Sequence, residues 1–93
     1  MNLSVEISMY PLKDGYIAKI DDFLEDINSH GDNIEIRTSN MSTRLFGDYD
    51  AVSKLLKNAM QRSMEKHGKI VFVCKFIEGD ARDLDALSSV TAQ

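Results

Sequence analysis

Apolar residues along this chain recur at two spacings that take turns: every second position, then every third or fourth, then every second again. This switching constrains the fold more than any single motif does. A period of two marks a strand with one buried face, whereas a period of about 3.6 marks a helix with one buried stripe. Leu3, Val5, Ile7 and Met9 alternate with Ser4, Glu6, Ser8 and Tyr10, which predicts a first strand ended by Pro11. Asp14 is a candidate N-cap for a helix over residues 15–30, with Ile17, Ile20, Leu24 and Ile27 as its apolar stripe. Gly31 is placed to end that helix as a left-handed residue.

Ile34 and Ile36 then alternate with Glu35 and Arg37, the polar Thr38-Ser39-Asn40 segment reads as a turn, and Thr43, Leu45 and Phe46 fall in a third strand. Gly47 and Asp48 close this hairpin. Val52, Leu55, Leu56, Ala59 and Ser63 or Met64 trace a second helix, with Lys66 and His67 at its C-terminal end and Gly68 beyond. The run IVFVCKFI at 70–77 is almost continuously apolar and predicts a last strand buried on both faces. The resulting order, βαββαβ, is an α+β chain of ferredoxin-like type with an antiparallel sheet ordered 4-1-3-2 and two helices on one face. Residues 1–79 form one domain on this reading. Residues 80–93, with Ala81, Leu84, Leu87 and Val90 weakly spaced, form a tail or a short helix.

Composition narrows the function classes. Ninety-three residues carry a formal net charge of −4, which disfavours the phosphate backbone of nucleic acid. Cys74 is the single cysteine, so the chain can close no disulfide by itself and offers no cysteine-based zinc site. No apolar run is long enough to cross a bilayer and Met1–Ser4 has no leader-like character, so the expected setting is cytoplasmic, without membrane or nucleic-acid partners.

Strand one runs antiparallel to strand three in this topology, so the end of the first lies beside the start of the other. Ser8 and Tyr10 therefore meet Thr38, Asn40, Met41, Ser42 and Thr43 at one end of the sheet, together with the start of helix one. Hydroxyls, an aromatic ring and a thioether suit a small planar heterocycle, which needs a stacking surface and a few directed hydrogen bonds. The plainer reading is that these are strand and turn residues serving the backbone.

The segments SVEISMYPL at 4–12 and TSNMSTRLFG at 38–47, with Asp14 between them, resemble the thiamine-binding, YkoF-like family. The resemblance spans about residues 3–77. It implies a ferredoxin-like domain that binds thiamine or its hydroxymethylpyrimidine part without catalysis, needing no further cofactor. Carried over by motif position, Ser8, Tyr10, Thr38, Met41, Ser42 and Thr43 are the ligand-binding residues. Larger members carry two such domains, so a single copy makes a homo-oligomer, dimer or tetramer, the natural substitute. The alternative is an oligomeric interaction or regulatory module without this ligand.

Other candidates read as structural. His30 and His67 sit at helix ends, Cys74 inside the most apolar strand, and Asp21, Asp22, Glu25 and Asp26 on what reads as a solvated helix face. Met60 and Met64 read as packing residues. Glu6 is unusual in being mid-strand on the polar face, where it should meet solvent, pair with Arg37 or Arg44, or join a subunit contact. Arg44 with Asn40 suggests an acylphosphatase-like site, but the glycine-containing phosphate loop is missing. No nucleophile with a nearby base and no metal motif occurs, so neither an enzyme nor a metal site is expected.

Overall fold

A computed structural model describes residues 1–39 and 42–82. Its elements are β1 (Asn2–Pro11), α1 (Tyr16–His30), β2 (Glu35–Thr38), β3 (Thr43–Asp48), α2 (Tyr49–His67) and β4 (Ile70–Glu78). The four strands form one sheet in the order β2-β3-β1-β4, antiparallel throughout, as the alternating periods predict. Leu3, Val5 and Ile7 of β1 and Leu45 of β3 pack with Phe23 and Ile27 of α1 and with Val52, Leu55, Leu56 and Ala59 of α2. Both helices therefore cover the same face. Ile27, Leu45 and Val52 are its most completely buried large side chains, and each such burial contributes about 1.5–3 kcal/mol.

Several local expectations are corrected. Gly15, in the left-handed region at φ 79°, caps α1, and no side chain caps that end, so Asp14 does not serve. Ile17 is exposed, and the buried residues of α1 are Phe23 and Ile27. Gly31 has φ −91° rather than a left-handed value. It is needed for close approach, since a Cβ there would meet the Ile27 carbonyl oxygen at 2.7 Å and Ile36 Cδ1 at 2.9 Å. Asn33 takes the positive φ of that loop. At the start of α2, Asp48 accepts a hydrogen bond from the Ala51 backbone N–H at 3.2 Å, the N-cap arrangement.

β4 is not buried on both faces. It is an edge strand with α1 and α2 on one side, and Val71, Val73 and Ile77 stand exposed on the other. Phe46 also faces away from the helices, yet it is only 6% exposed. The chain after β4 explains this difference. Ser4, Phe46 and Glu35 lie in one row across β1, β3 and β2. Ser4 Oγ donates to the Gly79 carbonyl and accepts from the Ala81 N–H, both at 2.8 Å, while Arg82 reaches Glu35 at 3.1 Å. Residues 79–82 thus cross the row above Phe46, and the Arg37 guanidinium lies 5.3 Å from its ring centre. The expected tail or helix beyond Arg82 lies outside the described residues.

Of the acidic residues of α1, Asp21 and Glu25 are exposed as expected, but Asp22 and Asp26 are not simply solvated. Asp22 pairs with His67 at 2.8 Å and Lys66 at 3.2 Å, and Asp26 receives a two-pronged bond from Arg62 at 2.9 and 2.8 Å besides one from His30. These contacts tie α1 to the last turns of α2. The bond from His67 and then Lys66 lowers the Asp22 pKa below its usual value, and the Arg62 bond does the same for Asp26. A depressed folded-state pKa stabilises above the unfolded value, about 3.9 for aspartate, and that stability is lost as pH falls through the folded value. Chemical denaturation at stepped pH should therefore show unfolding free energy dropping below about pH 4. Asp22→Asn combined with Asp26→Asn should flatten that drop; an unchanged slope would contradict this role for the two pairs.

Candidate functional site

β1 is bonded on both sides over different lengths. Among the described residues its ladder with β3 ends at Ile7↔Thr43, whereas its ladder with β4 continues from Ser8↔Val73 to Pro11↔Ile70. The β2–β3 pairing ends at Thr38↔Thr43. Beyond it, the Ser39 backbone N–H and hydroxyl donate to the Ser42 carbonyl at 2.9 and 3.1 Å, which fixes the base of the hairpin tip. A notch is left between the end of β1 and this hairpin.

The α1 helix roofs the notch. Ile20, Phe23 and Leu24 descend from the helix while Ile7 and Met9 rise from β1, and together they wall a cavity of about 270 Å³. Phe23 is held by an aromatic contact with Phe72 of β4 at 5.1 Å between ring centres. The polar lining comes from Ser8 and Tyr10 on β1 and from Thr38, Ser39, Ser42 and Thr43 on the hairpin. Strand alternation puts Thr38 and Thr43 on the helix-covered face and Ser8, Tyr10 and Ser42 on the other, so the notch draws on both faces of the sheet.

Two hydrogen bonds set its polarity. Thr38 Oγ1 and Thr43 Oγ1 lie 3.3 Å apart, one hydroxyl donating to the other. Ser42 Oγ donates to Glu6 Oε2 at 3.0 Å. Glu6 in turn lies 3.6 Å from Lys75 on β4 and opposite Arg44 on β3, while Arg37 is engaged with Glu35 instead. No described lining residue carries a formal charge. The arrangement offers apolar walls, one exposed tyrosine and a few hydroxyls, which suits a flat, uncharged ring with polar edges.

Five of the six residues singled out in the sequence, Ser8, Tyr10, Thr38, Ser42 and Thr43, line this one cavity. The sixth, Met41, lies outside the described residues. Sequence reasoning missed the roof and Ser39. Ile20 and Leu24 were visible as an apolar stripe, but nothing in their spacing distinguishes lining a cavity from filling a core.

Two further hollows have a different character. One of about 280 Å³ between the helices is walled by Asp22, Asp26, Arg62 and Lys66, whose charges are already matched in pairs. The other, of about 300 Å³, lies beside the end of α1 and includes His30, Asp32, Lys54 and Asn58. Among the described residues no three histidine, cysteine or acidic side chains are grouped to hold a metal. Cys74 packs against the core, and burial raises its thiol pKa, which disfavours the reactive thiolate. No helix of the described residues is long and apolar enough to cross a membrane.

The fold recurs among solved structures. Protein SP2199 from Streptococcus pneumoniae superposes with a TM-score of 0.79 at 21% identity, covering 96% of this chain and 99% of that one. TM0486 from Thermotoga maritima, provisionally assigned to thiamine biosynthesis or salvage, superposes with a TM-score of 0.76 at 16% identity, covering 97% and 99%. At these identities the likeness speaks for the fold. No curated protein matches the chain significantly in sequence. The model of the YKOF-related family matches residues 2–83, nearly the whole chain, and the chain belongs to that family.

Proposed function

We propose that this chain is a non-catalytic binding protein for a small heterocycle, with hydroxymethylpyrimidine, free or as part of thiamine, as the ligand. The observation that carries this reading is the cavity beside the end of β1, where the residues of both sequence motifs line one space. Its volume of about 270 Å³ lies at the lower edge of small-molecule sites, roughly 300–1,000 Å³. That size favours enclosing a substituted pyrimidine, with the thiazolium of thiamine left at the rim. The ring lies against Ile7, Met9 and Phe23 while threonine and serine hydroxyls pair with its nitrogen atoms. The provisional assignment of TM0486 to thiamine biosynthesis or salvage supports the ligand class. No described lining residue is charged, which favours binding over turnover.

Titration calorimetry with hydroxymethylpyrimidine and thiamine tests this reading. Both should bind, and Ser42→Ala and Thr43→Val should each weaken binding about five- to 150-fold by leaving a ligand atom unpaired. The accompanying loss of unfolding free energy should be only about 1 kcal/mol. If neither substitution changes affinity more than about twofold while both lower stability, the hydroxyls serve the hairpin and the site is elsewhere.

Self-association accompanies this reading in a cytoplasmic setting. Tyr10, Val71, Val73 and Ile77 are each at least 43% exposed and share the sheet face opposite α1 and α2. Exposed apolar side chains on either side of the Glu6–Lys75 pair favour a partner for this face, and a second copy supplies one with matching chemistry. Without the ligand, the same face supports the alternative of an oligomeric interaction module. Light scattering should give a dimer or tetramer, and Val73→Lys should shift it toward the protomer. A strict 10.5 kDa particle from micromolar to near-millimolar concentration would contradict the assembly.

A further inference from the structure

Glu6 stands outside the cavity, on the open face of the sheet, yet it controls one of the hydroxyls that line it. A serine hydroxyl has one proton to give and two lone pairs to offer. The proton of Ser42 is committed to Glu6 Oε2 at 3.0 Å. Glu6 is itself held in place: the strand register sets it between Arg44 and Lys75, and Lys75 Nζ approaches its other oxygen, Oε1, at 3.6 Å. Ser42 is thereby left able only to accept.

From this geometry we infer that Glu6 is a positioning residue that fixes Ser42 as a hydrogen-bond acceptor, so that the cavity selects a ring bearing an N–H donor at that edge. The inference rests on the binding reading above and adds to it the polarity of one contact. The Thr38–Thr43 pair behaves differently. Of its two protons one is spent within the pair, so the other remains to be donated to a ring nitrogen. An aminopyrimidine presents both features, an exocyclic amino donor and ring-nitrogen acceptors. An analogue with hydrogen in place of the amino group presents only the second.

The test is a comparison of two affinities within each variant, measured by calorimetry with hydroxymethylpyrimidine and with its analogue lacking the amino group. Wild type should prefer the amino compound by about tenfold, the effect of one hydrogen bond in a partly dry site. Glu6→Met keeps the length of the side chain and removes the acceptor, freeing the Ser42 hydroxyl to turn. Its preference should fall to within about twofold of parity. Glu6→Gln still offers a carbonyl oxygen to Ser42 and should retain most of the preference, and Ser42→Ala should lose it. Thermal denaturation of each variant, run in parallel, separates a loss of fold from a loss of selectivity.

A full preference retained in Glu6→Met, or equal affinities in wild type, would overturn the role of Glu6 while leaving the binding site standing. Absence of binding by both compounds to wild type would overturn the site and this inference together.

Discussion

The structure depends on an inequality around its central strand. Among the described residues, β1 is hydrogen-bonded to β4 as far as Pro11 but to β3 only as far as Ile7. Had β3 begun two residues earlier, the register would set Ser8 and Met9 opposite a neighbouring strand and little space would remain beneath α1. The helix cannot fill the gap, since its side chains at this point, Ile20, Phe23 and Leu24, are engaged as a roof. The same topology that brings distant segments together therefore leaves a cavity of about 270 Å³ between them.

The chemistry of the notch follows from strand alternation. Residues of one parity belong to the helix-covered face and supply Ile7, Met9 and the two threonines; residues of the other parity supply Ser8, Tyr10 and Ser42. An ordinary core position carries only the first set. A position where the sheet is interrupted carries both, which is how hydroxyls come to stand beside aliphatic walls without a charge among them. Elsewhere on the molecule, charges are gathered and neutralised: Asp22 and Asp26 with the end of α2, Glu35 and Asp80 with Arg82.

Much of this was legible in the sequence, for reasons that differ by element. The alternation of Leu3, Val5, Ile7 and Met9 and the helical spacing of Val52, Leu55, Leu56 and Ala59 each allow one solution, and antiparallel pairing then brings Ser8 close to Thr43 without any contact being known. The burial of β4 was only half legible. Its apolar run suggests two buried faces, whereas the topology, with both helices on one face of the sheet and the last strand at an edge, turns Val71, Val73 and Ile77 away from the helices, where they are exposed. The shielding of Phe46 was not legible: the chain that covers it, Gly79–Arg82, is held by Ser4 and Glu35, residues with no pattern of their own. Gly15 displacing Asp14 as the cap of α1 reflects a local choice between a left-handed backbone and a side-chain bond, and either would end the loop.

We propose that ligand binds where the sheet is interrupted beside Ile7 and Thr43, and a crystal structure of the protein grown with hydroxymethylpyrimidine would decide it. The ring should lodge between β1 and the β2–β3 hairpin, beneath Phe23, with polar atoms in hydrogen-bond reach of Thr38 or Thr43 and of Ser42. A ring found instead in the charged hollow between the helices, or on the open face along Val71 and Val73, would contradict it.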